Sequence, residues 1–95
     1  MSYRHVEQKL EDAVSKWAEQ NGIKSLKFTP LGQRGYPDRI FMYWGHVAFI
    51  EFKAEGEELR KLQEYRIDEM KDNKMKVLWT DNFEEAVLFL TKELL

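Results

Sequence analysis

The chain has 95 residues, 43% hydrophobic and 14% aromatic, which suits one folded domain over residues 1–95 with a single core and excludes intrinsic disorder. Fifteen lysines and arginines against 17 acids give a net charge of −2, so no overall positive charge marks a nucleic-acid binder. No apolar run reaches the roughly 18 residues of a membrane helix, the N-terminus lacks the apolar stretch of a signal peptide, and the absence of cysteine excludes disulfides and thiolate zinc sites; a cytoplasmic chain is expected.

Tyr3, Val6, Leu10, Ala13, Val14, Trp17 and Ala18 recur at helical spacing, which predicts an amphipathic helix over 3–20 closed by Asn21-Gly22. A short strand is expected over 26–29, and 30–37, with Gly32, Gly35 and two prolines, reads as a loop. Residues 38–43 and 46–53 are rich in aromatic and β-branched types around Trp44-Gly45, a hairpin signal. Ile40-Phe41-Met42-Tyr43 and Val47-Ala48-Phe49-Ile50 are apolar on both faces, so the sheet requires helices on both sides. Ala54-Glu55-Gly56 breaks the second strand. A helix over 57–71 follows, with Leu59, Leu62, Ile67 and Met70 inward, and then a strand over 76–80. Asp81-Asn82-Phe83-Glu84 has the form of a capping box and opens a last helix through Leu95. Trp17 and Trp79 fall on core stripes, whereas His5 and His46 read as surface residues. The expected class is α/β, a mixed central sheet flanked by helices in the order αβββαβα.

If Trp44-Gly45 is a two-residue turn, Tyr43 faces His46 and the count continues until Asp38 stands opposite Glu51. Directly opposed residues have Cβ atoms about 4.5–5.5 Å apart, where like charges repel. Glu51 and Lys53 are two apart on one strand and share a face. Three ionisable groups thus converge at the end of an otherwise apolar strand pair. Two carboxylates there must share a proton or hold a cation, and magnesium, which prefers oxygen ligands and keeps several waters, suits such a site. A lysine beside it would orient a water or neutralise charge developing on a phosphate. The chemistry implied is phosphodiester hydrolysis.

Gly35-Tyr36-Pro37-Asp38-Arg39, then Phe49-Ile50-Glu51-Phe52-Lys53-Ala54, then Leu62-Gln63 resemble the VRR-NUC (virus-type replication-repair nuclease) family of the PD-(D/E)XK superfamily, and the similarity runs essentially the whole chain. The resemblance implies a restriction-endonuclease-like fold and a magnesium- or manganese-dependent deoxyribonuclease. Asp38 and Glu51 would be metal carboxylates, with the Phe52 main-chain carbonyl as a further ligand. Lys53 would be the catalytic lysine, Gln63 the glutamine near the site, and Glu7 the first-helix glutamate that approaches the metal directly or through water. Glu7 lies beside the apolar stripe of its helix, and Gln63, four residues from both Leu59 and Ile67, also points inward.

Lys24, Lys27, Arg34 and Arg39 against Asp38 alone give residues 24–39 a local +3. Arg34 and Arg39 flank the site as candidate phosphate grips, joined by Lys24, Lys27, Arg60 and Lys61. The C-terminal third is acidic and would face away from DNA. Tyr36 and Trp44, in turns, would cover the core, stack on a base or make a dimer contact. Stand-alone proteins resembling this chain are dimers acting on branched DNA, including four-way (Holliday) junctions, which implies a homodimer with a branched substrate and a phage or bacterial source. The alternatives are a flap or other DNA nuclease, a non-catalytic DNA-structure binding module and a small protein-interaction domain.

Overall fold

The structure is a computed structural model and describes residues 2–95. Seven elements follow in order: α1 (Tyr3–Gln20), β1 (Lys24–Lys27), β2 (Arg39–Tyr43), β3 (His46–Phe52), α2 (Lys61–Asp72), β4 (Lys76–Thr80) and α3 (Phe83–Leu94). The order αβββαβα is the one expected. The strands form one sheet in the order β1-β2-β3-β4, antiparallel except for the parallel β3–β4 pair that α2 bridges.

The hairpin register is the one counted from the sequence: Tyr43 pairs with His46, Met42 with Val47 and Arg39 with Ile50. Trp44 and Gly45 both have positive φ, 45° and 84°. This is the combination a two-residue turn needs to match the strands' twist. Tryptophan is an unusual occupant of the first position.

Apolar residues on both faces of β3 are covered on both sides. Ala48, Ile50 and Phe52 join Phe41 and the inner faces of α1 and α3 (Val14, Ala18, Ala86, Leu90, Leu94). Phe49 packs on the other face with Val77 and with Ile67 and Met70 of α2. The result is an α/β/α sandwich with β3 at its centre. Among the described residues no helix is long and apolar enough to cross a membrane.

Several expectations shift. The first strand lies at 24–27, because Leu26 pairs with Ile40 and Lys27 with Arg39, which fixes its place by register. The helix expected from residue 57 begins at Lys61, since a turn at Ala54–Glu57 and the Gln63 side chain claim the preceding backbone N–H groups. Leu62 consequently sits on the first turn and points outward, 43% exposed. Trp79 is 41% exposed instead of core, because β4 is an edge strand that the helices cover only in part. The last helix is capped by Asn82, whose side chain accepts from the Glu85 N–H, one residue later than the Asp81 box implied.

Candidate functional site

Glu51 and Lys53 leave β3 toward the α2 face, and Asp38 closes the loop that enters β2. The N-terminal turns of α1 and α2 complete the walls. The resulting cleft, of about 580 Å³, is lined by Glu7, Asp38, Glu51, Lys53, Glu57 and Gln63, with Arg4 and Arg60 among the rest of its rim. Its roof is the loop before Asp38. Gly35 there has φ 85°, and a Cβ would stand 2.7 Å from the Leu62 side chain and 3.1 Å from its carbonyl oxygen. Only glycine lets the loop lie against α2 at this point. Tyr36 fixes the next turn: its hydroxyl donates to Glu69 at 2.9 Å, its ring meets Phe28 edge-on, and the Arg66 guanidinium lies 4.7 Å from its centroid. It is a clamp between loop and helix.

Asp38 Oδ2 accepts the Phe52 N–H at 2.9 Å, extending the hairpin ladder by a side chain. The Phe52 N–H and C=O lie on the same strand edge, so its carbonyl also faces the Asp38 side. The next N–H, that of Lys53, turns to β4 and donates to the Thr80 carbonyl at 2.9 Å. Glu51 is 3% exposed. Its Oε2 accepts from Gln63 Nε2 at 3.0 Å and lies 3.5 Å from Lys53 Nζ, whereas its Oε1 is buried without a hydrogen-bond partner among the described residues. The other end of Gln63 accepts the Arg60 N–H at 2.9 Å, which ties Glu51 to the start of α2. Lys53, also 3% exposed, has a second carboxylate, Glu57 Oε2, at 3.6 Å.

Four carboxyl groups face three cations in this cleft, and protons accumulate accordingly. Burial, followed by the Asp38 charge, pushes Glu51 from 4.5 up to about 8. Asp38 is raised by burial against the opposing pull of the Phe52 N–H. Glu7 rises to about 7, through burial and a hydrogen bond with Glu57. Burial also presses Glu57 upward, but the bond from Glu7, the Ala54 N–H and Lys53 together hold it below its usual range.

A divalent ion suits part of this set. Among the described residues no three carboxylate or imidazole side chains form a ready cage. One or two carboxylates, with substrate phosphates and several retained waters, are nonetheless how magnesium is commonly held. The orphaned Glu51 oxygen shares this cleft with Asp38, an arrangement whose chemistry suits a cation. Glu7 and Glu57 line the same cleft.

The sequence placed the basic residues less well. Arg60 lies on the rim, and Arg34 lines an adjoining depression with Gly35 and Arg60. Arg39 does not grip anything at the cleft: its Nε donates to Glu11 at 2.8 Å and its Nη1 to Ser25, inside the α1–β1 contact. Lys27 shares Glu11, at 2.7 Å. Lys24 and Lys61 are exposed and do not line the cleft. Glu57 and Arg4 line it without having been read from the sequence. Both sit among charged neighbours on stretches that scan as solvated, and no spacing singles them out.

The backbone matches a solved structure described as a VRR_NUC domain with a TM-score of 0.81 over 92% of this chain and 95% of that one, at 19% identity. The fold is that of a VRR-NUC domain. No family model and no curated protein matches the sequence. On the VRR-NUC fold of this chain, Asp38, Glu51, Lys53 and Gln63 meet in one cleft, as their motif spacing implied.

Proposed function

We propose that the chain is a nuclease that hydrolyses DNA phosphodiesters with magnesium or manganese, and that it works as a cytoplasmic homodimer on branched DNA such as four-way junctions. The observation that carries this reading is the buried, unpartnered Oε1 of Glu51 beside Asp38 and a buried lysine. Asp38, Glu51 and the Phe52 carbonyl would hold the ion, and Glu7 is a further carboxylate of the same cleft. A divalent cation so held acidifies a water and withdraws charge from a phosphate oxygen.

The Lys53 ammonium stands where it neutralises charge on the phosphate as the water oxygen bonds to phosphorus. The P–O bond to the leaving oxygen breaks, the attacking water gives up a proton to solvent while the leaving oxygen takes one from solvent, and a phosphate monoester and a hydroxyl result. Gln63 keeps Glu51 facing the cleft. Arg4 and Arg60 on the rim, with Arg34 next to them, suit bidentate contact with neighbouring phosphates. Two copies related by a twofold axis present two clefts at fixed separation, which suits a symmetric junction.

The test is cleavage of labelled four-way junction, flap, single-stranded and linear duplex DNA with magnesium or manganese, alongside Lys53→Ala. Paired incisions on the junction that vanish in the variant support the whole reading. Cleavage of flaps or ends alone retains the chemistry and removes the junction. Binding without cleavage of any substrate overturns the enzyme.

A further inference from the structure

Lys53 is a buried ammonium, and its surroundings determine whether it stays aimed into the cleft. An ammonium out of water needs compensating carboxylates and hydrogen bonds. Two carboxylates approach it, Glu51 Oε2 at 3.5 Å and Glu57 Oε2 at 3.6 Å. They are not equivalent. Glu51 also accepts from Gln63, and it carries the orphaned oxygen that suits a cation. Once Glu51 gives its charge to an ion, Lys53 must rely on the other carboxylate.

Glu57 is built for that task. Its backbone N–H donates to the Ala54 carbonyl at 3.0 Å, while its own Oε1 accepts the Ala54 N–H at 2.9 Å. This reciprocal lock closes a tight turn on the residue that directly follows Lys53. Oε2 is thereby left to face the ammonium. Glu7, from α1, lines the same cleft as this carboxyl. The groups around it are Glu7, Lys53 and the Ala54 N–H, with Tyr3, Arg4 and Arg60 on the surrounding cleft wall.

We infer that Glu57 is the positioning residue of Lys53: its locked carboxylate holds the buried ammonium in place when Glu51 is engaged by a cation. It acts through Lys53 and touches neither substrate nor ion. The inference rests on the nuclease reading for its kinetic consequence, though not for its structural one.

The experiment compares Glu57→Gln with Glu57→Asp in the full chain. Glutamine keeps an oxygen for the Ala54 N–H and removes only the charge, so the turn persists. The first readout is the ¹H–¹⁵N signal of the Lys53 ammonium in the presence of magnesium. It is expected to be visible and slow to exchange in the parent protein, to exchange at least tenfold faster in Glu57→Gln, and to recover partly in Glu57→Asp. The second readout is cleavage, with kcat expected to fall at least tenfold in Glu57→Gln while KM and manganese affinity change less than threefold. An unchanged Lys53 signal in Glu57→Gln overturns the inference whether or not the protein cuts DNA. Absence of cleavage in the parent protein removes the nuclease reading and leaves the ammonium readout to decide the role of Glu57.

Discussion

Two glutamates of this chain are almost equally buried, and they lie in two different polar clusters of the sheet. Glu11 of α1, 4% exposed, accepts from Arg39 and pairs with Lys27, both within 2.8 Å. Glu51 of β3, 3% exposed, has a glutamine and a lysine at 3.0 and 3.5 Å and an oxygen with no partner. Burial alone therefore does not mark a functional acid. The difference is saturation: Glu11 holds α1 to the sheet with its charge matched inside the chain, while Glu51 keeps an oxygen whose demand for a partner is unmet among the described residues. Buried unpaired polar atoms are costly enough that folded proteins keep few of them.

The largest effect should come from removing that demand. Glu51→Gln is expected to abolish cation binding and cleavage together, read by manganese titration calorimetry and the junction assay, with the fold intact. The same variant should change the pH dependence of stability without metal. Glu51 titrates at about 8 in the folded chain against 4.5 ordinarily, so the folded state holds a proton that the unfolded state has released. The stabilisation from this group is complete below pH 4.5 and is lost as pH rises toward 8; Glu7, raised to about 7, acts in the same direction. Thermal denaturation of the metal-free protein should therefore show a melting temperature that declines between pH 5 and 8, with a shallower decline in Glu51→Gln. Magnesium should raise the melting temperature more at pH 8 than at pH 6, because binding releases the proton. A flat profile in the parent protein would contradict the burial argument.

Next in size is the saturated partner. Glu11→Ala leaves the half-buried Arg39 guanidinium against α1 without its carboxylate, and breaking a fully buried pair costs about 3–5 kcal/mol, an upper bound here. Urea denaturation should show a loss up to that size, while the folded fraction still binds manganese. A variant that loses the metal as well would show that the two clusters are coupled through Asp38.

These two clusters also show how far the sequence could be read. The hairpin count brought Asp38 opposite Glu51 because a two-residue turn fixes register and alternation fixes the face. Lys53 followed from Glu51 by the same period of two. Gln63 was legible because helical spacing to Ile67 turned it inward, although Leu59, also used in that count, lies before the helix. Nothing comparable linked Arg39 to Glu11, 28 residues away on another element, so Arg39 looked like a free phosphate grip. Glu57 was hidden because it reads as the first residue of an acidic helix start, whereas a side-chain lock on Ala54 delays that helix to Lys61. Trp79 was misplaced since alternation assigns a face to a strand residue but does not reveal that the strand lies at the sheet's edge.

Gln63→Leu sharpens the comparison with an intermediate effect. It removes the donor to Glu51 Oε2 and the acceptor for the Arg60 N–H while preserving volume and burial. Outer partners of metal ligands are typically worth about 10–100-fold in affinity or activity. Manganese affinity and cleavage rate should fall within that range. A change confined to stability would reassign Gln63 to capping α2.

The smallest effect belongs to Lys27, and its sign tests the idea of saturation directly. Its side chain is 53% exposed, and Arg39 remains on the same Glu11 oxygen when the lysine is removed. Exposed ion pairs contribute about 0–1 kcal/mol, so Lys27→Ala should alter the urea midpoint only slightly. A loss comparable to that of Glu11→Ala would mean that Arg39 alone does not satisfy the buried carboxylate. If Glu11 does not depend on it, Lys27 can exchange that partner for a DNA phosphate. Junction affinity measured against salt then discriminates: a slope reduced by about one ion in Lys27→Ala places the lysine on DNA, and an unchanged slope leaves it with Glu11.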